Sequence, residues 1–317
     1  ILYERCYGYR DIDDSLEVDR NTVFRLASVS KTLTGLLAGI LDEEGIIPIS
    51  SKVKDYLPDF RLKDSINTAD LTIQHILSHT SGLVPHAYDN LVEADVDFAI
   101  IIDSLRRVNI SAPPGQLYGY QNVVFSLYDT ICMVATGKDF NSLIKEKLFI
   151  PLGMKDASAD FYSFQQGSDV AMPWVRTGSG YKPVKMNAGY YNTAPAAGIN
   201  ASLADMESLL VALSSGNEGP IGDSVLKKVF MPRVYTPLAW QYLRNWNNVE
   251  SRHYGLGWRL IGYNGEQIAY HGGYVRGYRT EIAYATTQNI GIVFLTNSPG
   301  SVGSRIVPDF LEQFCNP

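Results

Sequence analysis

Apolar positions in this chain recur at helical spacing through most of its length, and runs that read as strands lie near both ends. Leu33, Leu36, Leu37, Ile40 and Leu41 recur at helical spacing and predict a helix from about Ser28 to Glu44, stopped by Gly45. Further helices are predicted over Thr72–Ser78, Asp97–Arg107, Val123–Thr136 (ended by Gly137) and Phe140–Phe149 (stopped before Pro151). Residues 161–197, rich in Tyr, Gly, Pro and Asn, read as irregular. Ser202–Ser215 is a well-signalled helix: Ser202 caps it, Asp205 stands three positions on, and Gly216 ends it.

The strand signals lie at the two ends. Residues 1–9 read as a strand ended by Gly8, which needs a partner, so a preceding strand is expected before Ile1. Tyr254–Gly262, Gln267–His271, Tyr278–Ala285 and Ile290–Thr296 read as successive strands, with Asn264-Gly265, Gly272-Gly273 and Thr287-Gln288-Asn289 as turns. Such short connections imply antiparallel neighbours. The run Ile290–Leu295 is apolar on both faces, as in a strand covered on both sides, and a last helix at about Ser304–Phe314 would cover one of them. The fold expected is α/β of the α+β kind: an antiparallel sheet flanked by helices, with an inserted, mostly helical region. Residues 1–55 and 250–317 are assigned to the sheet domain and 56–249 to the insertion, whose late helix 202–215 can pack back on the sheet.

Composition narrows the function. With 317 residues, 45% of them hydrophobic, and a net charge of −6, the chain can bury a sizeable core and is not intrinsically disordered. The acidic balance argues against a nucleic-acid binder. No apolar stretch approaches the roughly 20 residues of a transmembrane helix. The three cysteines, Cys6, Cys132 and Cys315, are no disulfide framework. They read first as buried thiols; a Cys6–Cys315 bridge is the alternative.

Ser28-Val29-Ser30-Lys31 is the sharpest chemical signal, at the predicted start of a helix. Residues three apart share a helix face, so the Ser28 hydroxyl would lie beside the Lys31 amine, near a helix N-terminus that favours negative charge. A serine needs a base to become a nucleophile, and a lysine of depressed pKa can serve. Alone, the same four residues read equally as a capping serine and a solvated lysine. Tyr120-Gln121-Asn122 precedes an apolar helix; a tyrosine near a cation can move protons, and an asparagine amide can hold a carbonyl or an amine. Its plain reading is a polar helix cap. His271-Gly272-Gly273 closes a predicted strand; glycines admit close approach, and a free strand edge can bind an extended acyl substrate. There the Tyr274 and Ser28 N–H groups could form an oxyanion hole. A plain glycine hairpin is the alternative.

The three segments in this order resemble the serine β-lactamase and penicillin-binding protein family, on its class C side with D-alanyl-D-alanine carboxypeptidases, aminopeptidases and esterases. Phe24–Lys31, Leu77–Leu83, Pro114–Asn122, Ala197-Gly198-Ile199 with Asp205-Met206, and His271–Gly273 with Gly277–Arg279 carry the likeness, which covers nearly the whole chain. It implies Ser28 as acylated nucleophile, Lys31 as its activating partner and Tyr120 as general base and acid, with Asn122, His271, Gly272, Gly273 and Tyr274 on the substrate. His271 stands where many class C β-lactamases carry the lysine of Lys-Thr-Gly, and the histidine form resembles the peptidase and esterase branches. A protonated histidine there would anchor a substrate carboxylate. Gly272 replaces a hydroxyl residue.

The expected function is a serine hydrolase acting through an acyl-enzyme on an amide, a D-amino-acid peptide or a β-lactam; the alternative is a carboxylesterase of the same kind, or a penicillin-binding or structural relative without turnover. The partner is a small-molecule or peptide substrate. No cofactor is implied, nucleic acid is not, and oligomeric state is not legible. Export to the periplasm or medium follows from the resemblance, although no signal peptide is visible. His75 and His79 are four apart, but no third ligand accompanies them, so no metal is assigned. His86 and His253 read as loop residues, and Arg276 and Arg279 as strand-end charges, either of which could meet a carboxylate. Tyr190, Tyr191, Trp174 and Trp246 could line a cleft but read first as core.

Overall fold

A computed structural model describes residues 1–216, 219–237, 243 and 245–315. Strands β1 (Tyr9–Asp11), β2 (Leu16–Glu17) and β3 (Val23–Arg25) precede helix α1 (Ser30–Glu43). The helical region that follows includes α2 (Asn122–Thr136). Then come β4 (Trp174–Thr177), β5 (Gly180–Pro183), β6 (Asn200–Ser202) and α3 (Leu203–Ser214). The chain finishes with β7 (Val234–Tyr235), β8 (Val249–Tyr254), β9 (Arg259–Tyr263), β10 (Glu266–Val275), β11 (Tyr278–Ala285), β12 (Ile290–Thr296) and helix α4 (Ile306–Phe314).

The main sheet has the order β12-β11-β10-β9-β8-β7, antiparallel throughout. Its faces alternate as side chains must along a strand. Ala269, Ile282 and Tyr284 join the large core built on α1, α2 and α3, while Ile268, Tyr270, Ala283 and Ala285 pack with Val307 and Leu311 of α4. The sheet is therefore covered on both faces, and the expected mixed architecture is the one found. β12 is half-buried along its length at the sheet's edge. Helix α1 is buried over nearly its whole circumference, the mark of a central helix rather than a surface one.

Four expectations are corrected. Among the described residues the opening segment contributes no strand to the main sheet, so the sheet is not built from both chain ends: Ile1, Leu2, Tyr3 and Tyr7 are exposed, and β1 pairs with β2. Alternation gives a strand its two faces but names no partner. The run Tyr254–Gly262 is two strands, because Leu256 and Trp258 between them turn into the core, where the Trp258 indole donates to Thr32 O (3.2 Å). Pro151 does not end its helix. After a π-helical stretch, Lys145–Phe149, the proline sits in the first turn of the segment Ile150–Leu152, where a missing N–H is tolerated. Residues 161–197 hold a short helix, Phe161–Gln166, capped by Asp160, and the β4–β5 hairpin. The cysteines are all free, with Cys132 and Cys315 buried and Cys6 only partly so.

Candidate active site

Strand β3 pairs with β6 and delivers the chain to a tight turn at Ala27–Val29 before α1 begins. Ala27 takes a left-handed backbone (φ 48°), an uncommon state for a residue with a Cβ. The turn is tied down from three sides: Leu26 N donates to Ile199 O, Ile199 N to the Ser30 hydroxyl, and the Thr280 hydroxyl to Leu26 O. Ser28 is left half-buried at this fixed turn, and Lys31 is fully buried in the first turn of α1.

The second segment is positioned by a clamp. Gln121 N donates to His79 Nδ1 (3.1 Å), and His86 N donates to Tyr120 O (2.8 Å). The His79 ring, buried and held neutral by desolvation and the nearby Lys31, stacks 4.2 Å from the Tyr120 ring. Asn122 opens α2.

These elements bring four of the sequence-derived residues together. The Tyr120 hydroxyl donates to Ser28 Oγ at 2.9 Å, and Lys31 Nζ lies 3.4 Å from the same oxygen. Lys31 Nζ also donates to Asn122 Oδ1 and Ala196 O, both at 2.8 Å, and lies 4.7 Å from the centre of the Tyr120 ring. Burial holds the Lys31 amine well below the ordinary lysine value of 10.5; the Asp89 carboxylate opposes that shift and Arg259 adds to it. A buried amine thus disposed to release its proton, a phenol and a hydroxyl within one hydrogen-bonded cluster can exchange protons as a serine attacks a carbonyl. Both ends of the Asn122 amide are engaged, its Nδ2 donating to Asp89 Oδ2 (2.9 Å), so in this arrangement it holds the amine.

The third segment is corrected in detail. Gly272 and Gly273 are not a turn; they lie within β10, opposite Glu281 and Thr280 of β11, and the turn falls at Arg276-Gly277, with Gly277 at φ 91°. Gly273 is required by close approach, since a Cβ there would stand 2.3 Å from Leu26 O and 3.1 Å from Ser28 N. Strand β9 pairs with β10 only as far as Tyr270, so among the described residues 271–275 have no strand partner on that edge, which lies beside the Ser28 turn. Tyr274 is exposed there. Gly272 is not brought to the serine: a side chain at that position would meet Glu281 and the Tyr270 hydroxyl on the opposite face.

His271 is buried rather than exposed, bonded through Nε2 to the Tyr254 hydroxyl (3.0 Å) and through Nδ1 to Gly272 O (2.8 Å). Burial, then Arg259, then Lys31 push its pKa well below the ordinary 6.5. It is therefore neutral at pH 7 and supplies no positive charge for a substrate carboxylate. A nearby permanent cation is Arg259, which the sequence reading missed. It is buried at the start of β9, with its guanidinium 5.8 Å from the Tyr120 ring centre and 5.8 Å from that of Tyr254. The one signal in the sequence was an arginine inside an otherwise apolar strand. Asp89 was missed as well; His86, read as a loop residue, does lie in a turn, with its Nδ1 2.7 Å from Asp89 Oδ2.

The remaining candidates lie elsewhere or have other partners. Arg279 pairs with Glu281 (2.8 Å), and Arg276 is exposed in the turn. His75 Nδ1 accepts from Thr72 N as part of a helix cap, apart from the His79 bond to Gln121. The Tyr190 hydroxyl donates to Glu93 and that of Tyr191 to Asn200, while Trp174 and Trp246 are buried.

The family model "Beta-lactamase" matches residues 1–313. The chain is 24% identical to unguisins hydrolase ungD' of Aspergillus campestris over 98% of its own length and 59% of that protein's. It is 30% identical to penicillin-binding protein 4* of Bacillus subtilis over 49% of this chain and 35% of the other. It thus spans less than two thirds of the length of these relatives. Among solved structures, the octameric penicillin-binding protein homologue from Pyrococcus abyssi superposes with a TM-score of 0.82 at 22% identity, over 98% of this chain and 71% of that one.

Proposed function

The chain belongs to the Beta-lactamase family, and on that premise we propose that it is a serine hydrolase working through an acyl-enzyme, of the D-alanyl-D-alanine carboxypeptidase type. The observation that carries the reading is one oxygen with two proton-handling partners: Ser28 Oγ, 2.9 Å from the Tyr120 hydroxyl and 3.4 Å from a buried Lys31 amine.

In the proposed cycle Ser28 Oγ bonds to the substrate carbonyl carbon as its proton passes into the Lys31–Tyr120 pair. The two titrate together, so the pair, not one member, is the base. The carbonyl oxygen becomes an oxyanion facing the backbone N–H groups of Ser28 and Tyr274. The bond to the leaving group breaks, and the departing nitrogen or oxygen takes a proton from Tyr120. Water then attacks the ester on Ser28 by the same proton route, releasing the acid and restoring the hydroxyl. An extended acyl chain would lie along the edge 271–275 of β10.

An amide or peptide substrate is favoured over an ester, and an ester over a β-lactam. Neutral His271 supports the last place of the β-lactam, because the lysine of Lys-Thr-Gly would bring a fixed charge that this position lacks, while the order of amide before ester rests on the family resemblance. The names of the fungal hydrolase and the Bacillus penicillin-binding protein agree with acyl transfer at this fold. Export to the periplasm or medium belongs to the same proposal and rests on the resemblance. Side-by-side rates on a D-alanyl peptide, p-nitrophenyl butyrate and nitrocefin test the substrate class. A dominant nitrocefin rate would overturn the order, and a burst of acylation without turnover would indicate a penicillin-binding sensor instead.

A further inference from the structure

A continuous line of polar contacts runs outward from the buried amine. Lys31 Nζ donates to Asn122 Oδ1 (2.8 Å), Asn122 Nδ2 donates to Asp89 Oδ2 (2.9 Å), and His86 Nδ1 meets the same Asp89 oxygen (2.7 Å). His86 is half-exposed, so the line joins solvent to the site. Its backbone is left-handed (φ 60°), which, with its N–H bonded to Tyr120 O, sets its ring 5.3 Å from that of Tyr120.

An asparagine amide has a donor end and an acceptor end, and nothing intrinsic decides which faces the lysine. A carboxylate accepts only. Asp89 therefore compels the Asn122 NH2 toward itself and turns the carbonyl oxygen to Lys31. Asp89 is also the anion whose field favours the Lys31 ammonium, against Arg259. The neutral rings of His79 and His271 and the Tyr120 phenol complete the surroundings.

We propose that Asp89, held in place by His86, is the positioning residue that fixes the Asn122 amide and, through it, the Lys31 amine against Ser28. The proposal rests on the acyl-enzyme reading. Neither residue touches the reacting carbonyl; both act through Asn122.

The test is the rate of acylation by p-nitrophenyl butyrate, followed across pH with intact-mass detection of the adduct. Asp89→Asn is expected to slow acylation at least about 10-fold, the worth of one charge-assisted hydrogen bond. It should also move the limb of the pH–rate profile that belongs to Lys31 to lower pH, because an anion beside the ammonium is gone. A merely structural loss would lower the rate without moving the limb. His86→Ala, at a half-exposed position, should slow acylation about 3-fold or more. His86→Gln keeps an N–H for the carboxylate and should recover most of that loss. If Asp89→Asn does not fold, the two His86 variants decide. Parent-like rates and an unmoved limb in these variants, with the parent still labelled on Ser28, would overturn the positioning role and leave acyl transfer standing. A parent that is never acylated on Ser28 would overturn both.

Discussion

The Tyr120 hydroxyl donates to Ser28 Oγ at 2.9 Å across 92 residues of sequence. Local geometry could not have produced this pair. It depends on β3 pairing with β6 to fix the serine turn, and on the 79–89 segment gripping the backbone of 120–121.

Tyr120→Phe removes that one oxygen and keeps the ring that stacks on His79. Acylation is expected to fall by about 10²–10⁴, the range for loss of a general acid–base group. Stability should change by only about 0.5–1.5 kcal/mol, one hydrogen bond. Burst kinetics and a denaturant melt on the same sample check both. A parent-like burst would remove Tyr120 from the chemistry.

The pH dependence follows from the two buried cations. Burial chiefly holds the Lys31 pKa down and Arg259 adds to it, so the Lys31 limb of the pH–rate profile should lie well below the ordinary 10.5. Arg259→Gln deletes a positive neighbour, which makes the ammonium easier to keep and moves that limb to higher pH. This is opposite in sign to the shift expected for Asp89→Asn. The same logic gives a stability slope. A lysine whose folded pKa is depressed is penalised most below that pKa, and the penalty fades as pH rises toward the unfolded value. The unfolding free energy of the parent relative to Lys31→Met should therefore rise with pH across that window. A flat difference would mean that Lys31 titrates normally.

Gly273→Ala places a methyl group 2.3 Å from Leu26 O and 2.4 Å from the Thr280 hydroxyl, within a strand that cannot move without disturbing the serine turn. A loss of about 1–3 kcal/mol is expected from overpacking alone, accompanied by slower acylation because Ser28 N lies 3.1 Å from the added atom. Urea melts and the acylation rate measure the two effects. Gly272→Ala, on the other face of the strand, provides the contrast: it can crowd Glu281 and Tyr270 but not the serine turn.

The helices that carry the site were legible because their signals are local. Periodicity and the Ser202–Asp205 capping box locate α3, and the apolar stripe locates α1, although the helix begins at Ser30 and Ser28 lies in the tight turn Ala27–Val29 just before it. What escaped was set by distant parts of the chain. Two adjacent glycines read as a turn, since no window around Gly273 contains Leu26. Ile1–Tyr7 has strand-like composition, but only tertiary structure shows that it joins no sheet among the described residues. Arg259 and Asp89 are ordinary charged residues in sequence. Their weight comes from being buried or nearly so beside Lys31, a property that composition and spacing do not encode.

The most direct measurement is intact mass after incubation with an activated ester or a penicillin, in the parent and in Ser28→Ala. One acyl group is expected on the parent, located by peptide mapping at Ser28, and none on the variant. An adduct of equal mass on Ser28→Ala would contradict Ser28 as the acylated residue.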